Sequence, residues 1–255
     1  LEGGRAGFAF STGLAAVLAV FSLLKSGDHV VISDDVYGGT YRQISELWEN
    51  LGIAFDAVDI GDTDAVCACI RPNTRLIYAE TPTNPMMKVA DIAALADIAH
   101  KNHALLAVDN TFLTPVFARP LEHGADIVLH SGTKYLSGHH DTMAGLVVAN
   151  DEKIIDRLSL IERTEGTGLS PFDCFLVLRG LKTLELRMKR HEENAGKVAA
   201  WLQNNPNVEK VYYVGLPEHP SYDVTCRQCD GFGGMLSFRL SDARLAEKVL
   251  CGGKL

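Results

Sequence analysis

Two short runs carry the residue types that Schiff-base chemistry requires: Ser131-Gly132-Thr133-Lys134 and Leu105-Leu106-Ala107-Val108-Asp109-Asn110. A lysine that forms a Schiff base works near neutral pH, well below its free value of about 10.4, and faces an aldehyde held firmly in place. Ser131 and Thr133 sit on a turn predicted to end a strand, so both hydroxyls can donate to a phosphate while Lys134 reaches the other end of the same ligand. Alone the S-x-T-K spacing is weak, because a lysine after two small polar residues is ordinarily a surface charge. Asp109 closes an apolar strand, where a carboxylate without a partner is costly. A protonated pyridine nitrogen is such a partner, and holding that proton lets the ring draw electrons from a substrate carbanion. The competing reading of a lone D-N-T is a turn cap.

Three further places fit the same ligand. Ser11-Thr12-Gly13-Leu14-Ala15-Ala16 puts a glycine at the start of an apolar helix, where free N–H groups and the helix dipole make a phosphate seat as well as a plain N-cap. Tyr37, ahead of Gly38-Gly39, can lay its ring over a planar cofactor, although a lone tyrosine at a strand end is more often packing. Asn84 stands in Pro82-Thr83-Asn84-Pro85, rigidly presented to a phenolic oxygen, where N-P is otherwise an ordinary turn.

These places need strands to carry them. Short apolar runs at His29–Ser33, Ile53–Val58, Arg75–Ala79, Ala104–Asp109, Asp126–His130 and Met143–Ala149 read as buried parallel strands. Leu14–Leu24, Tyr41–Leu51 and Asp91–Asn102 have the three- and four-residue spacing of crossover helices. The pattern predicts an α/β fold, a doubly wound and mostly parallel sheet whose ligands sit beyond the carboxyl ends of the strands. After about residue 183 the texture changes to a long helix (Leu184–Asn204), strands over Val208–Val214 and Gly234–Leu240, and a helix over Asp242–Leu250. Residues 1–183 are therefore expected to form a large domain and 184–255 the start of a smaller α+β domain.

Composition narrows the function class. The 255 residues carry 24 Lys plus Arg against 32 Asp plus Glu, a formal charge of -8, which argues against a nucleic-acid or anionic-membrane surface and leaves a small-molecule substrate. Six scattered cysteines read as reduced thiols of a cytoplasmic protein. Leu14–Leu24 has about half the roughly 20 residues of a bilayer span. No G-x-G-x-x-G opens a helix in the first 35 residues, so a nucleotide-dependent dehydrogenase is disfavoured. His139, His140 and Asp141 are too contiguous to wrap one metal ion, and Cys226 with Cys229 lacks a second pair. A noncatalytic scaffold is the remaining class, and it predicts loss of Lys134 or Asp109, both of which are present.

The ordered set of Ser11 to Ala16, Tyr37-Gly38-Gly39-Thr40, Glu80-Thr81-Pro82-Thr83-Asn84-Pro85, Asp109-Asn110-Thr111-Phe112 and Ser131-Gly132-Thr133-Lys134-Tyr135 resembles the Cys/Met-metabolism family of pyridoxal 5'-phosphate (PLP) enzymes. The resemblance continues through Leu169-Ser170-Pro171-Phe172-Asp173, Arg179-Gly180-Leu181-Lys182-Thr183-Leu184, Arg187 and Gly233-Gly234-Met235-Leu236-Ser237-Phe238, nearly the whole chain. The family holds cystathionine γ-synthase, cystathionine β- and γ-lyases and methionine γ-lyase. It implies the fold-type-I architecture, with Lys134 as the cofactor lysine and proton shuttle, Asp109 at the ring nitrogen and Tyr37 as the stacking ring. It implies phosphate contacts from Gly13, Leu14, Ser131 and Thr133, a contact from Asn84 to the phenolic oxygen, and support from Glu80 and Thr111. It further implies a homotetramer built as a dimer of dimers, acting on a sulfur-containing amino acid: a carbon–sulfur lyase, with γ-replacement on an O-acylhomoserine as the alternative. The family's Tyr and Arg that reach a neighbouring subunit's phosphate are expected upstream of Leu1. Its substrate-binding Ser and Arg are expected downstream of Leu255.

Overall fold

The computed structural model describes residues 1–252. The chain runs through β1 (Ala6–Phe10), α1 (Gly13–Phe21), β2 (His29–Ser33), α2 (Gly38–Gln43), β3 (Ala54–Val58), α3 (Thr63–Cys69), β4 (Thr74–Glu80), α4 (Ile92–Lys101) and β5 (Leu105–Asp109). It continues through α5 (Thr114–Phe117), β6 (Ile127–Ser131), β7 (Gly145–Ala149), α6 (Glu152–Glu165), α7 (Pro171–Leu181), α8 (Leu184–Gln203), β8 (Val208–Tyr212), α9 (Tyr222–Gln228), β9 (Ser237–Leu240) and α10 (Arg244–Gly252). Seven strands make one sheet in the order β1-β7-β6-β5-β4-β2-β3, and β8 pairs with β9 in a separate antiparallel ribbon. Strands β2 to β6 are mutually parallel, whereas β7 runs antiparallel to β6 and β1 antiparallel to β7.

Alternation along the strands divides the core between the two faces of the sheet. Phe10, Ile32, Leu76, Tyr78, Ala107 and Leu129 pack with α1 and with Leu158 and Ile161 of α6. Val31, Ile77, Leu106, Val108 and Val128 pack with Ile92, Leu95 and Ala99 of α4. Burying one such Ile or Leu contributes roughly 1.5–3 kcal/mol, and a slip of one residue would invert every side chain, so packing fixes the register. The carboxyl ends of β4, β5 and β6 are therefore held side by side in the middle of the sheet.

The structure departs from sequence expectation in identifiable places. Strand β1 was not anticipated: five residues of AGFAF make a weak pattern, and the strand exists by pairing with β7 along the sheet edge. The helix expected to reach Leu24 stops at Phe21, where the Ser22 amide bonds back to Leu18 and the next two amides tighten into three-residue turns. The stretch Tyr41–Leu51 is not one helix. It passes from α2 through a π turn at Ile44–Trp48 to a 3-10 turn ending at Gly52, whose φ of 83° suits glycine. Helices α3, α6 and α7, also unanticipated, start on the side-chain caps Asp62, Asp151 and Ser170.

Candidate active site

A cleft of about 340 Å³ opens beyond the carboxyl ends of β4, β5 and β6. Gly13, Leu14, Tyr37, Asn84, Asp109, Thr111, Ser131, Thr133 and Lys134 all line it. Residues separated by up to 121 positions thus meet because the parallel strands end at one level and α1 enters beside them.

The floor of the cleft is acidic. Glu80 and Asp109 are register partners on β4 and β5. Asp109 Oδ1 accepts from the Thr111 amide at 3.0 Å and the Thr111 hydroxyl at 2.5 Å, and Oδ2 accepts from the Tyr78 hydroxyl at 3.2 Å. Its remaining exposure opens into the cleft, and burial raises its carboxyl above the usual carboxylate range despite those donors. No salt bridge reaches Asp109 among the described residues. Glu80 is buried, and its carboxyl is pushed up to about 8, first by desolvation and then by the charge of Asp109. Two amides oppose that shift: Glu80 Oε2 accepts from Tyr37 N–H at 2.9 Å and Oε1 from Asn84 N–H at 3.1 Å. Glu80 consequently ties together the two walls that carry Tyr37 and Asn84.

At the other end of the cleft the groups are donors. Thr12 caps α1, its hydroxyl accepting from the Ala15 amide at 3.0 Å, which leaves the Gly13 and Leu14 amides at the unsatisfied first turn. A Cβ on Gly13 would lie 2.9 Å from Ser131 Oγ, so the glycine is what lets the helix start abut the end of β6. The Ser131 amide donates to Thr111 Oγ1 at 2.8 Å while its hydroxyl faces the cleft with no protein partner among the described residues. Thr133 is more committed than its neighbour: its hydroxyl accepts from the Ala144 amide at 3.0 Å and sits 3.3 Å from the Ala144 carbonyl. Lys134 follows on a turn closed by its amide bonding to the Ser131 carbonyl at 3.1 Å, and its ammonium makes no ion pair among the described residues.

Tyr37 forms one wall, half exposed, its ring lying over Gly39, where any Cβ would meet it at 2.5 Å. Asn84 is presented by a loop with two cis peptide bonds, Thr81-Pro82 and Asn84-Pro85. Asp35 secures that loop through the Thr83 hydroxyl at 2.5 Å and the Met86 amide at 2.8 Å. A wider cleft of about 1010 Å³ shares Asn84, Phe112, Thr133, Lys134 and Met143 with the first and continues to His140, Asp141, Arg187 and His191. Arg187 is fixed in place there, because three of its five N–H groups donate to Tyr135 O, Gly180 O and Thr183 Oγ1.

The arrangement fits PLP. A buried carboxylate held by neutral donors, without a cation of its own, suits a ring N–H, while a helix start with a free serine hydroxyl suits a phosphate dianion. Sequence reading missed Tyr78, whose phenol is pushed well above the tyrosine range by burial and by Asp109 and Glu80, and so remains a donor to Asp109. Alternation along β4 held the signal, since Tyr78 and Glu80 share a face and pair in register with Ala107 and Asp109. Thr40, which closes the Tyr37-Gly38-Gly39-Thr40 run, also lines the cleft, as does Met143, which nothing in its local sequence marks.

Known proteins give the same reading over the full length. The model of the family described as Cys/Met metabolism PLP-dependent enzyme matches residues 1–255. Cystathionine gamma-lyase of Bacillus subtilis is 49% identical over 255 residues, covering 100% of this chain and 67% of that protein. Cystathionine gamma-synthase of Mycobacterium tuberculosis is 47% identical over 252 residues, covering 98% and 65% respectively. A crystal structure of cystathionine gamma-lyase from Lactobacillus plantarum, complexed with L-serine, superposes with a TM-score of 0.93 at 45% identity, covering 94% of this chain and 63% of that one. The chain thus spans about two thirds of the length of these relatives. Matched by the family model from residue 1 to residue 255, the chain belongs to the Cys/Met-metabolism family of PLP-dependent enzymes.

Proposed function

We propose that this chain supplies the cofactor-binding part of a carbon–sulfur lyase acting on a thioether amino acid of the cystathionine or methionine type. The observation that carries the reading is the convergence of Lys134, Asp109 and the Gly13/Leu14/Ser131 donor set on one cleft. Bound there, PLP supplies an electron sink for a substrate carbanion. The Gly13 and Leu14 amides and the Ser131 hydroxyl would hold the phosphate, and the Thr133 hydroxyl would join them by turning from Ala144. Asp109 would keep the ring nitrogen protonated, Asn84 would meet the phenolic oxygen, and Tyr37 would cover the ring and exclude water. Lys134 would hold the cofactor through its aldehyde and would be placed to move a proton at the substrate Cα. Thr111 and Glu80 fix these groups in place, Thr111 through Asp109 and Ser131 and Glu80 through the Tyr37 and Asn84 amides.

The second reading, γ-replacement on an O-acylhomoserine, starts with the same proton removal and is favoured by the likeness to a cystathionine gamma-synthase. Residues 184–255 belong, in this reading, to a smaller domain, and the whole protein is a cytoplasmic homotetramer. No helix among the described residues is long and apolar enough to cross a membrane. Product analysis of the full-length protein with cystathionine, methionine, and O-acylhomoserine plus cysteine decides between the readings. Keto acid and free thiol from a thioether support the lyase, thioether formation supports the synthase, and no product from any of them overturns both.

A further inference from the structure

Behind the cleft, on the opposite face of the sheet from Asp109, lies a buried polar cluster for which the chemistry above has no use. Glu2 is 4% exposed and His130 2%. A single oxygen, Glu2 Oε1, takes His130 Nε2 at 2.6 Å and the Asn110 Nδ2 amide at 2.8 Å, and Asn110 Nδ2 also donates to the Ala118 carbonyl. Because Oε1 accepts from Asn110, His130 Nε2 is the donor in the second contact. Glu2 Oε2 and His130 Nδ1 are buried with no partner among the described residues. A buried carboxylate with one oxygen unanswered is not what stability alone selects.

Its position explains it. Asn110 directly follows Asp109, and His130 directly precedes Ser131. In front of the sheet, Thr111 Oγ1 ties Asp109 to the Ser131 amide; behind it, Glu2 ties Asn110 to His130. The ends of β5 and β6 are thus buckled on both faces, at the level where one end carries the carboxylate and the other leads into the lysine turn. We propose that Glu2 is a positioning residue that sets the separation between Asp109 and the Ser131 to Lys134 turn, and so the fit of one rigid cofactor between them. The inference rests on the PLP reading of the cleft.

The test is on the whole chain, with Glu2→Ala, Glu2→Asp and Glu2→Gln beside the parent. Amide hydrogen exchange is measured without ligand, and PLP trapped on Lys134 by borohydride is quantified by peptide mapping. In Glu2→Ala, exchange at Asn110 and Ser131 is expected to quicken at least tenfold while β2 and β4 stay unchanged, and trapping is expected to fall at least tenfold. Glu2→Asp, one carbon short of spanning both partners, should show at least a threefold change in each and decides the matter if Glu2→Ala does not fold. Glu2→Gln keeps an acceptor oxygen at the same reach and should restore both readouts to within threefold. Changes below twofold in Glu2→Ala and Glu2→Asp, equal quickening throughout the sheet, or failure of Glu2→Gln to rescue would each overturn the proposal. Absence of label on Lys134 in the parent would instead overturn the cofactor reading, leaving the exchange pattern to judge the buckle.

Discussion

Replacing Glu80 by Gln should change how the stability of the cofactor-free chain depends on pH. Glu80 ionises at about 8 in the folded chain against an ordinary value of 4.5. The folded state therefore carries the extra proton between those limits, so the group's stabilisation is complete below pH 4.5, declines from 4.5 to about 8 and is lost above. Each pH unit in that window removes up to about 1.4 kcal/mol per proton, giving an upper bound of roughly 5 kcal/mol. Asp109 is raised in the same direction and is Glu80's register partner, so the two share the titration and the curve belongs to the pair. A Gln side chain has one acceptor oxygen for two amides, Tyr37 and Asn84, and leaving one unmet costs roughly 1–3 kcal/mol. Glu80→Gln is thus expected to be the less stable protein at pH 5 and at least the equal of the parent at pH 9. Urea unfolding followed by circular dichroism, at half-unit steps from pH 5 to 9, reads the difference directly. Parallel curves for the two proteins would refute the argument, because they would mean that Glu80 titrates alike in the folded and unfolded chains.

Two further substitutions test the ends of the cleft. Asp109→Asn keeps an oxygen for the Thr111 donors, and Tyr78 can accept from the new amide, so the fold should persist. Turnover in an active form of the protein should nonetheless fall by about 10²-fold or more, since an amide does not keep the ring nitrogen protonated; near-normal kcat would assign Asp109 another purpose. Gly13→Ala places a methyl 2.9 Å from Ser131 Cβ and Oγ. A helix gain of up to about 1 kcal/mol is then opposed by overpacking of about 1–3 kcal/mol. Because the methyl also displaces Ser131, the serine proposed to hold the phosphate, PLP affinity measured by absorbance titration should drop more than the thermal midpoint does. Unchanged affinity would mean that the helix start is not the phosphate seat.

Which residues line the cleft was readable one motif at a time, because the constraint on each is local. A lysine after two hydroxyl residues, an acid closing an apolar strand, and a glycine opening a helix each place one functional group at one backbone position. Alternation and helical spacing likewise gave six of the sheet's strands and the α4 helix, whose caps Asp91 and Asn102 are the limits expected from sequence. Tertiary structure alone decided the rest. The edge strand β1 has no strong pattern of its own and exists through antiparallel pairing with β7, in a register that sets Ala9 opposite Leu146 and that no local signal specifies. Tyr78 becomes a donor to Asp109 only when β4 and β5 align. Glu2 reaches His130 across 128 residues. Such contacts depend on the order and registry of strands, and those are set by which faces the whole core can bury together, a property that no single segment of the sequence carries.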